Sequence, residues 1–200
     1  MIDGIIQVND DNIDDVLDTT YEIMLMFCNG YADACSNHRK PYVRAAQFLA
    51  KLEKPVYLGE VDIEKSSELE ERYNITSYPT YMIVYSFGRD PEKLKIAQTD
   101  ITFAKEALRR NYVDLIEVKT PEEWEDYKTS LSITTLGVFE TKECDQFETY
   151  EKLAMGKNNA VFFYTTNPEI IHTSDTAALY SFHHSDGNTM IHFTGGRSLL

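Results

Sequence analysis

The chain has 200 residues, with 19 Lys and Arg against 33 Asp and Glu, a formal net charge of −14, 42 % apolar residues and 12 % aromatics. This composition supplies packed cores for one large domain or two of roughly 100 residues each, and it excludes a disordered chain. The acidity argues against nucleic acid as a main partner, since phosphate backbones need clustered Lys and Arg, and no uncharged apolar run approaches the roughly 18 residues of a membrane span.

Ile5-Ile6-Gln7-Val8 is a short β run, and Asp10-Asp11-Asn12 offers caps and negative charge to a following helix. Ile13, Val16 and Leu17 give that helix one apolar stripe. Ile23 to Cys28 is almost wholly apolar, the pattern of a central strand buried on both faces. A turn over Asn29 to Asp33 leads into a long helix, about Ala34 to Leu52, with Pro41 inside it. Val56–Asp62 reads as a strand, Ser66-Ser67-Glu68 as a helix start, and Thr80–Tyr85 as another buried strand. A further strand is expected near Leu94–Ala97, and Thr102 is expected to cap a helix over Phe103–Asn111. Alternating strands and helices imply a mixed sheet with helices on both faces.

The order then restarts. Leu115-Ile116-Glu117-Val118 echoes Ile5-Ile6-Gln7-Val8, and Thr120-Pro121-Glu122-Glu123 is a capping-box helix start with Trp124 and Tyr127 on its apolar stripe. Ile133–Phe139 and Ala160–Tyr164 read as strands around a helix over Cys144–Ala154. Asn167-Pro168 opens a helical turn, and Leu179–His183 and Thr189–Phe193 flank a hairpin turn at Ser185-Asp186-Gly187-Asn188. The closing helix expected after Phe193 merely begins, so the second copy is expected to be truncated at its C-terminus. Met1-Ile2-Asp3-Gly4 has neither the basic nor the apolar region of a secretory leader. That leaves two readings: a cytoplasmic protein, or a mature secretory-pathway chain given a start Met.

Three stretches of the first half resemble the thioredoxin-fold domains of the protein disulfide isomerase family. Tyr73-Asn74-Ile75-Thr76-Ser77-Tyr78-Pro79-Thr80 is similar to the family's segment before the proline that faces the active site, which implies a cis Tyr78–Pro79 peptide. Leu58-Gly59-Glu60-Val61-Asp62 matches the preceding strand, and Phe27 through Pro41 stands at the Phe-Tyr-Ala-Pro-Trp-Cys-Gly-His-Cys segment and its helix proline. The second half resembles the family's following non-catalytic domain, mostly by element order. The implied fold is α/β: two tandem thioredoxin-like domains, 1–112 with a degenerate active site and 113–200 non-catalytic, each a central mixed sheet flanked by helices.

The family's chemistry needs two cysteines two residues apart at a helix start. Counting forward from Phe27, the chain reads Ala32-Asp33-Ala34-Cys35, so the attacking cysteine's place holds Ala32. Counting back from Pro41 gives Asp33 and Ser36, and neither register restores a pair. The Trp before the motif is Tyr31, and the family's buried Glu and neighbouring Lys correspond to Met26 and Glu60. The resemblance therefore implies a redox-deficient protein that binds client polypeptides or another folding factor in the endoplasmic reticulum or secretory pathway. Tyr31, Ala32, Tyr78 and Pro79 are its expected substrate-docking residues.

Two other functions stay open: a thiol oxidoreductase or retention factor using Cys35 alone, and a calsequestrin-like calcium buffer. For the cysteines themselves the readings are a lone Cys35 thiol, a residual Cys35 without a role, a core Cys28, or a Cys28–Cys35 disulfide. Cys144, on the predicted helix, has no expected partner. Asn74-Ile75-Thr76 fits the N-glycosylation pattern. His183 and His184 should point to opposite strand faces, so with His192 they read as a solvated hairpin rather than a metal site. Asp10, Asp11, Asp14 and Asp15 read as a solvated helix face with no dedicated calcium spacing. No nucleotide loop, Walker-type motif or Ser-His-Asp set is present, and neither cofactor nor metal is expected.

Overall fold

The computed structural model describes residues 1–30, 33–156, 160–171, 178–183 and 189–194. The chain divides into two compact units, Met1–Phe103 and Ala104–Leu200. The first unit contains β1 (Ile5–Val8), α1 (Ile13–Thr20), β2 (Glu22–Cys28), α2 (Asp33–Ala50), β3 (Leu58–Asp62), α3 (Ser67–Arg72), β4 (Thr80–Tyr85) and β5 (Glu92–Lys93). The division between the units falls inside α4 (Asp100–Arg110).

The first sheet runs β1-β3-β2-β4-β5, with β1, β3 and β2 parallel and β4 and β5 antiparallel. Alternation along β2 sorts the core into two layers. Ile23, Leu25 and Phe27 pack with Ile13, Leu17, Leu69 and Ile75 from the side of α1 and α3. Beyond the other face the rings of Tyr42, Tyr81 and Phe103 meet at centroid distances of 4.8–5.8 Å. Gly59 is required where β3 passes β2, because a Cβ there would lie 2.5 Å from the Leu25 side chain.

Two local expectations change. The strand near Leu94–Ala97 is not formed; β5 pairs only Glu92 and Lys93 with β4, and Leu94 gives a last N–H to the Tyr81 carbonyl before the chain leaves the sheet. Thr102 is not the cap of α4. Thr99 fills that place, its hydroxyl accepting from the Thr102 amide at 3.1 Å, because the capping side chain stands three residues before the amide it satisfies.

The second unit contains β6 (Leu115–Glu117), α5 (Pro121–Lys128), β7 (Ile133–Val138), α6 (Asp145–Met155), β8 (Phe162–Thr165), a 3-10 turn (Pro168–Ile171), β9 (Ala178–His183) and β10 (Thr189–Thr194). Its sheet runs β6-β8-β7-β9-β10 with the same parallel and antiparallel pairings as the first. The Thr120 capping box at α5 is present in full. Phe139, Phe147, Tyr150, Phe162 and Tyr164 form one aromatic layer, and Trp124, Tyr127, Phe163 and Phe182 another. Two tandem thioredoxin-like domains follow from these matching strand orders.

Candidate functional site

The corner between β2 and α2 holds the first candidate chemistry. β2 carries its buried run to Cys28, whose carbonyl accepts from the Ile63 amide at 3.0 Å. α2 begins at Asp33, so Cys35 lies in its first turn and is buried. Cys28 and Cys35 form a disulfide with Cα atoms 5.8 Å apart, inside the usual range for such a bridge. Of the readings open for these cysteines, the one formed is the Cys28–Cys35 disulfide, so Cys35 is not a lone thiol, while Cys28 is buried at the end of β2 as expected. A strand end and the first turn of the next helix bring residues seven apart within bonding reach. Tyr31 and Ala32 lie outside the described residues.

Behind the corner, Met26 is fully buried and stands in register with Glu60 on one side and Tyr81 on the other. Glu60 receives Arg39 Nε on both carboxylate oxygens at 3.3 Å, and Arg39 reaches Asp3 at 3.1 Å. Glu60 is thus committed to an ion pair with α2, and Met26 has no proton to give. Burial pushes the Tyr81 phenol pKa up, and its hydroxyl is buried without a hydrogen-bond partner.

The second feature is the edge before β4. Tyr78–Pro79 is a cis peptide, and Thr80, the next residue, pairs with Phe27 beside Cys28. Register therefore brings Pro79 to the same end of the sheet as the disulfide. The Tyr78 hydroxyl donates to the Glu70 carboxylate on α3. That hydrogen bond, then partial burial and the carboxylate's charge, push the Tyr78 phenol up to about 12. The Glu70 contact has no simple sequence signal, since the pair spans a helix end and a loop.

Elsewhere the residues sort as follows. Cys144 immediately precedes α6, not within it, and its thiol donates to the Thr141 carbonyl at 3.2 Å. Asp10, read as part of a solvated face, instead caps α3 across the fold by accepting from the Leu69 amide at 2.9 Å and the Glu68 amide at 3.3 Å. Ser66, which directly precedes α3, makes no side-chain capping bond. His183 and His192 lie on paired strands β9 and β10, and His184 lies outside the described residues. Among the described residues no group of three His, Cys, Asp or Glu is placed to hold a metal, and no helix is long and apolar enough to cross a membrane. A cleft of about 430 Å³ lined by Tyr73, Tyr85, Phe87, Arg72 and Arg89 opens at the opposite end of the first sheet, beside the start of β2.

Comparison with known proteins follows the same lines. Protein disulfide-isomerase of Drosophila melanogaster is 24 % identical over 176 residues, which is 84 % of this chain and 34 % of that protein. Endoplasmic reticulum resident protein 44 of Bos taurus is 28 % identical over 162 residues, 75 % of this chain and 37 % of that protein. The chain is similar to the protein disulfide-isomerases. It spans only about a third of the length of these curated relatives. Among solved structures, the first thioredoxin domain of mouse protein disulfide-isomerase A4 aligns at a TM-score of 0.49 and 19 % identity, covering 54 % of this chain and 75 % of that domain. No family model matches the chain.

Proposed function

We propose that the chain is part of a disulfide-isomerase-family protein that binds polypeptides and does not carry out dithiol exchange by the family's usual route. The observation that carries this reading is the buried Cys28–Cys35 bridge, which occupies the cysteine nearest the helix start while the Tyr78–Pro79 edge beside it is retained. Thiol–disulfide exchange needs a thiolate with access to its target. Both sulfurs here belong to buried residues, Ala32 stands in place of the attacker, and Met26 and Glu60 replace the proton-moving pair. What the corner still offers is an edge for an extended client segment along Tyr78 and Pro79, with Tyr31 and Ala32 as further docking residues on the resemblance alone. Residence in the endoplasmic reticulum belongs to the same reading; one relative carries that compartment in its name.

Two assays on the purified chain test it. Reduction of insulin disulfides should proceed no faster than in buffer with reductant alone, and aggregation of a denatured client should be suppressed, less so by Tyr78→Ala. Insulin turnover close to that of an intact disulfide isomerase would sink the redox-deficient reading. Unchanged client aggregation would remove the binding role.

A further inference from the structure

The turn after α3 carries a feature that the peptide-docking role does not use. Asn74 follows the helix with φ 48, its amide donates to the Glu71 carbonyl at 3.1 Å, and the Ile75 amide donates to the Glu70 carbonyl at 3.0 Å. These two bonds form a Schellman motif, in which the left-handed residue is usually Gly and sometimes Asn. Ile75 completes it by turning into the core with Leu69. The backbone therefore accounts for Asn74. It does not account for Thr76, which is exposed and whose hydroxyl makes no hydrogen bond. The Asn74 side chain is likewise exposed and makes no hydrogen bond. Asn74-Ile75-Thr76 is the sole Asn-x-Ser/Thr triplet in the chain, and its middle residue is not proline.

We propose that Asn74 is an N-glycan acceptor. The inference rests on the secretory-pathway part of the proposed function. In the transfer, Asn74 Nδ2 bonds to the anomeric carbon of a lipid-diphosphate-linked oligosaccharide. The bond from that carbon to the diphosphate oxygen breaks, the lipid diphosphate leaves with the electron pair, and one Nδ2 proton passes to a base of the transferase. No oxidant or reductant takes part. The folded turn accommodates the product, because a glycan on an exposed side chain without partners displaces no contact. Burial of Ile75 fixes the triplet once the domain is folded, so modification precedes folding.

The test expresses the full chain behind a cleavable leader in a secretory host, with a reporter sequon in a tag before Met1. Only molecules glycosylated on the tag are scored, which ensures that they reached the transferase. Wild type should carry a second glycan, with peptide N-glycosidase converting Asn74 to Asp in the mass spectrum. Thr76→Ser should keep the glycan, Thr76→Ala should lose it, and Asn74→Gly should lose it while leaving the left-handed turn intact. An unmodified Asn74 in tag-glycosylated wild type overturns the proposal, as does a second glycan that persists in Asn74→Gly. The appended leader forces entry, so either result speaks to the acceptor alone. The polypeptide-binding reading fails separately, in the insulin and aggregation assays.

Discussion

In both units a tyrosine on the helix after the second strand reaches back to the same two backbone positions. The Tyr42 hydroxyl on α2 lies 2.8 Å from the Met24 carbonyl and 3.0 Å from that of Gly59. The Tyr150 hydroxyl on α6 lies 3.2 Å from the Thr135 carbonyl and 2.9 Å from that of Phe163. The registers make these places equivalent: Met24 pairs with Leu58 just before Gly59, and Thr135 pairs with Phe162 just before Phe163. The units part at the corner and at the antiparallel strand that flanks it. Only the first has a disulfide at the corner, and only the first has a proline just before its antiparallel strand; Thr176-Ala177 precede β9. The second unit still pairs β9 with β7 antiparallel. Neither bridge nor proline is therefore demanded by the sheet topology. The tyrosine is the shared device that ties helix to sheet, and the bridge and proline are additions specific to the first unit.

Removing the bridge breaks this contrast most strongly. Cys28→Ala with Cys35→Ala should lower the stability of the first unit by about 2–3 kcal/mol, the loop-closure contribution for a bridge of this short span. The second unit should be unaffected. Denaturant titration with amide hydrogen exchange read separately in each unit measures both. Reductant should shift the first unit of wild type in the same direction and do nothing further to the double variant. A wild-type first unit indifferent to reductant would mean that the bridge adds no stability.

The tyrosines sharpen the likeness. Tyr42→Phe and Tyr150→Phe each remove one buried hydroxyl whose single proton lies between two strand carbonyls, at about 1–2 kcal/mol apiece. Burial pushes the pKa of both phenols up, as expected where the charged form would be stranded. Matched losses, each confined to its own unit, support equivalent devices. A loss in one unit only would show that the other unit's contact is incidental.

The strand and helix order was legible because burial shapes composition: Ile23–Cys28 is apolar throughout and Thr80–Tyr85 is apolar or aromatic after its first residue, and both prove to be central strands. Thr120-Pro121-Glu122-Glu123 was legible because a capping box is local chemistry. What failed was non-local. Asp10 caps a helix that starts more than fifty residues later, and the acidic run around it reads like any solvated face. The short extent of β5 is set by the chain leaving the sheet after Leu94, although β4 continues to Thr80. At the candidate site, residue identity alone shows that no Cys-x-x-Cys sequence is present. The Cys28–Cys35 bond stood as one of several readings, because spacing leaves open which way a strand end and a helix start face each other.

The smallest effect concerns the edge before β4, where Pro79 has no proline counterpart in the sequence before β9. Tyr78 is held by Glu70, which pushes its pKa up to about 12 against roughly 10 for a free phenol. A group with a raised folded value contributes stability that is complete below the unfolded value and lost as pH climbs through the folded one. The Tyr78–Glu70 contribution should therefore hold to about pH 10 and fade between about pH 10 and 12. Because the pair sits partly in solvent, it should amount to about 1 kcal/mol or less. Other buried tyrosines ionise at high pH too, so the informative quantity is the difference between wild type and Tyr78→Phe across that window. Glu70→Gln provides the complementary arm: with the carboxylate gone, Tyr78 should ionise nearer pH 10, read as earlier tyrosinate absorbance, while the second unit's tyrosines are unmoved. An unchanged absorbance curve in Glu70→Gln would show that Glu70 does not hold the phenol in solution, and with it would go the idea that α3 fixes the side chain beside Pro79.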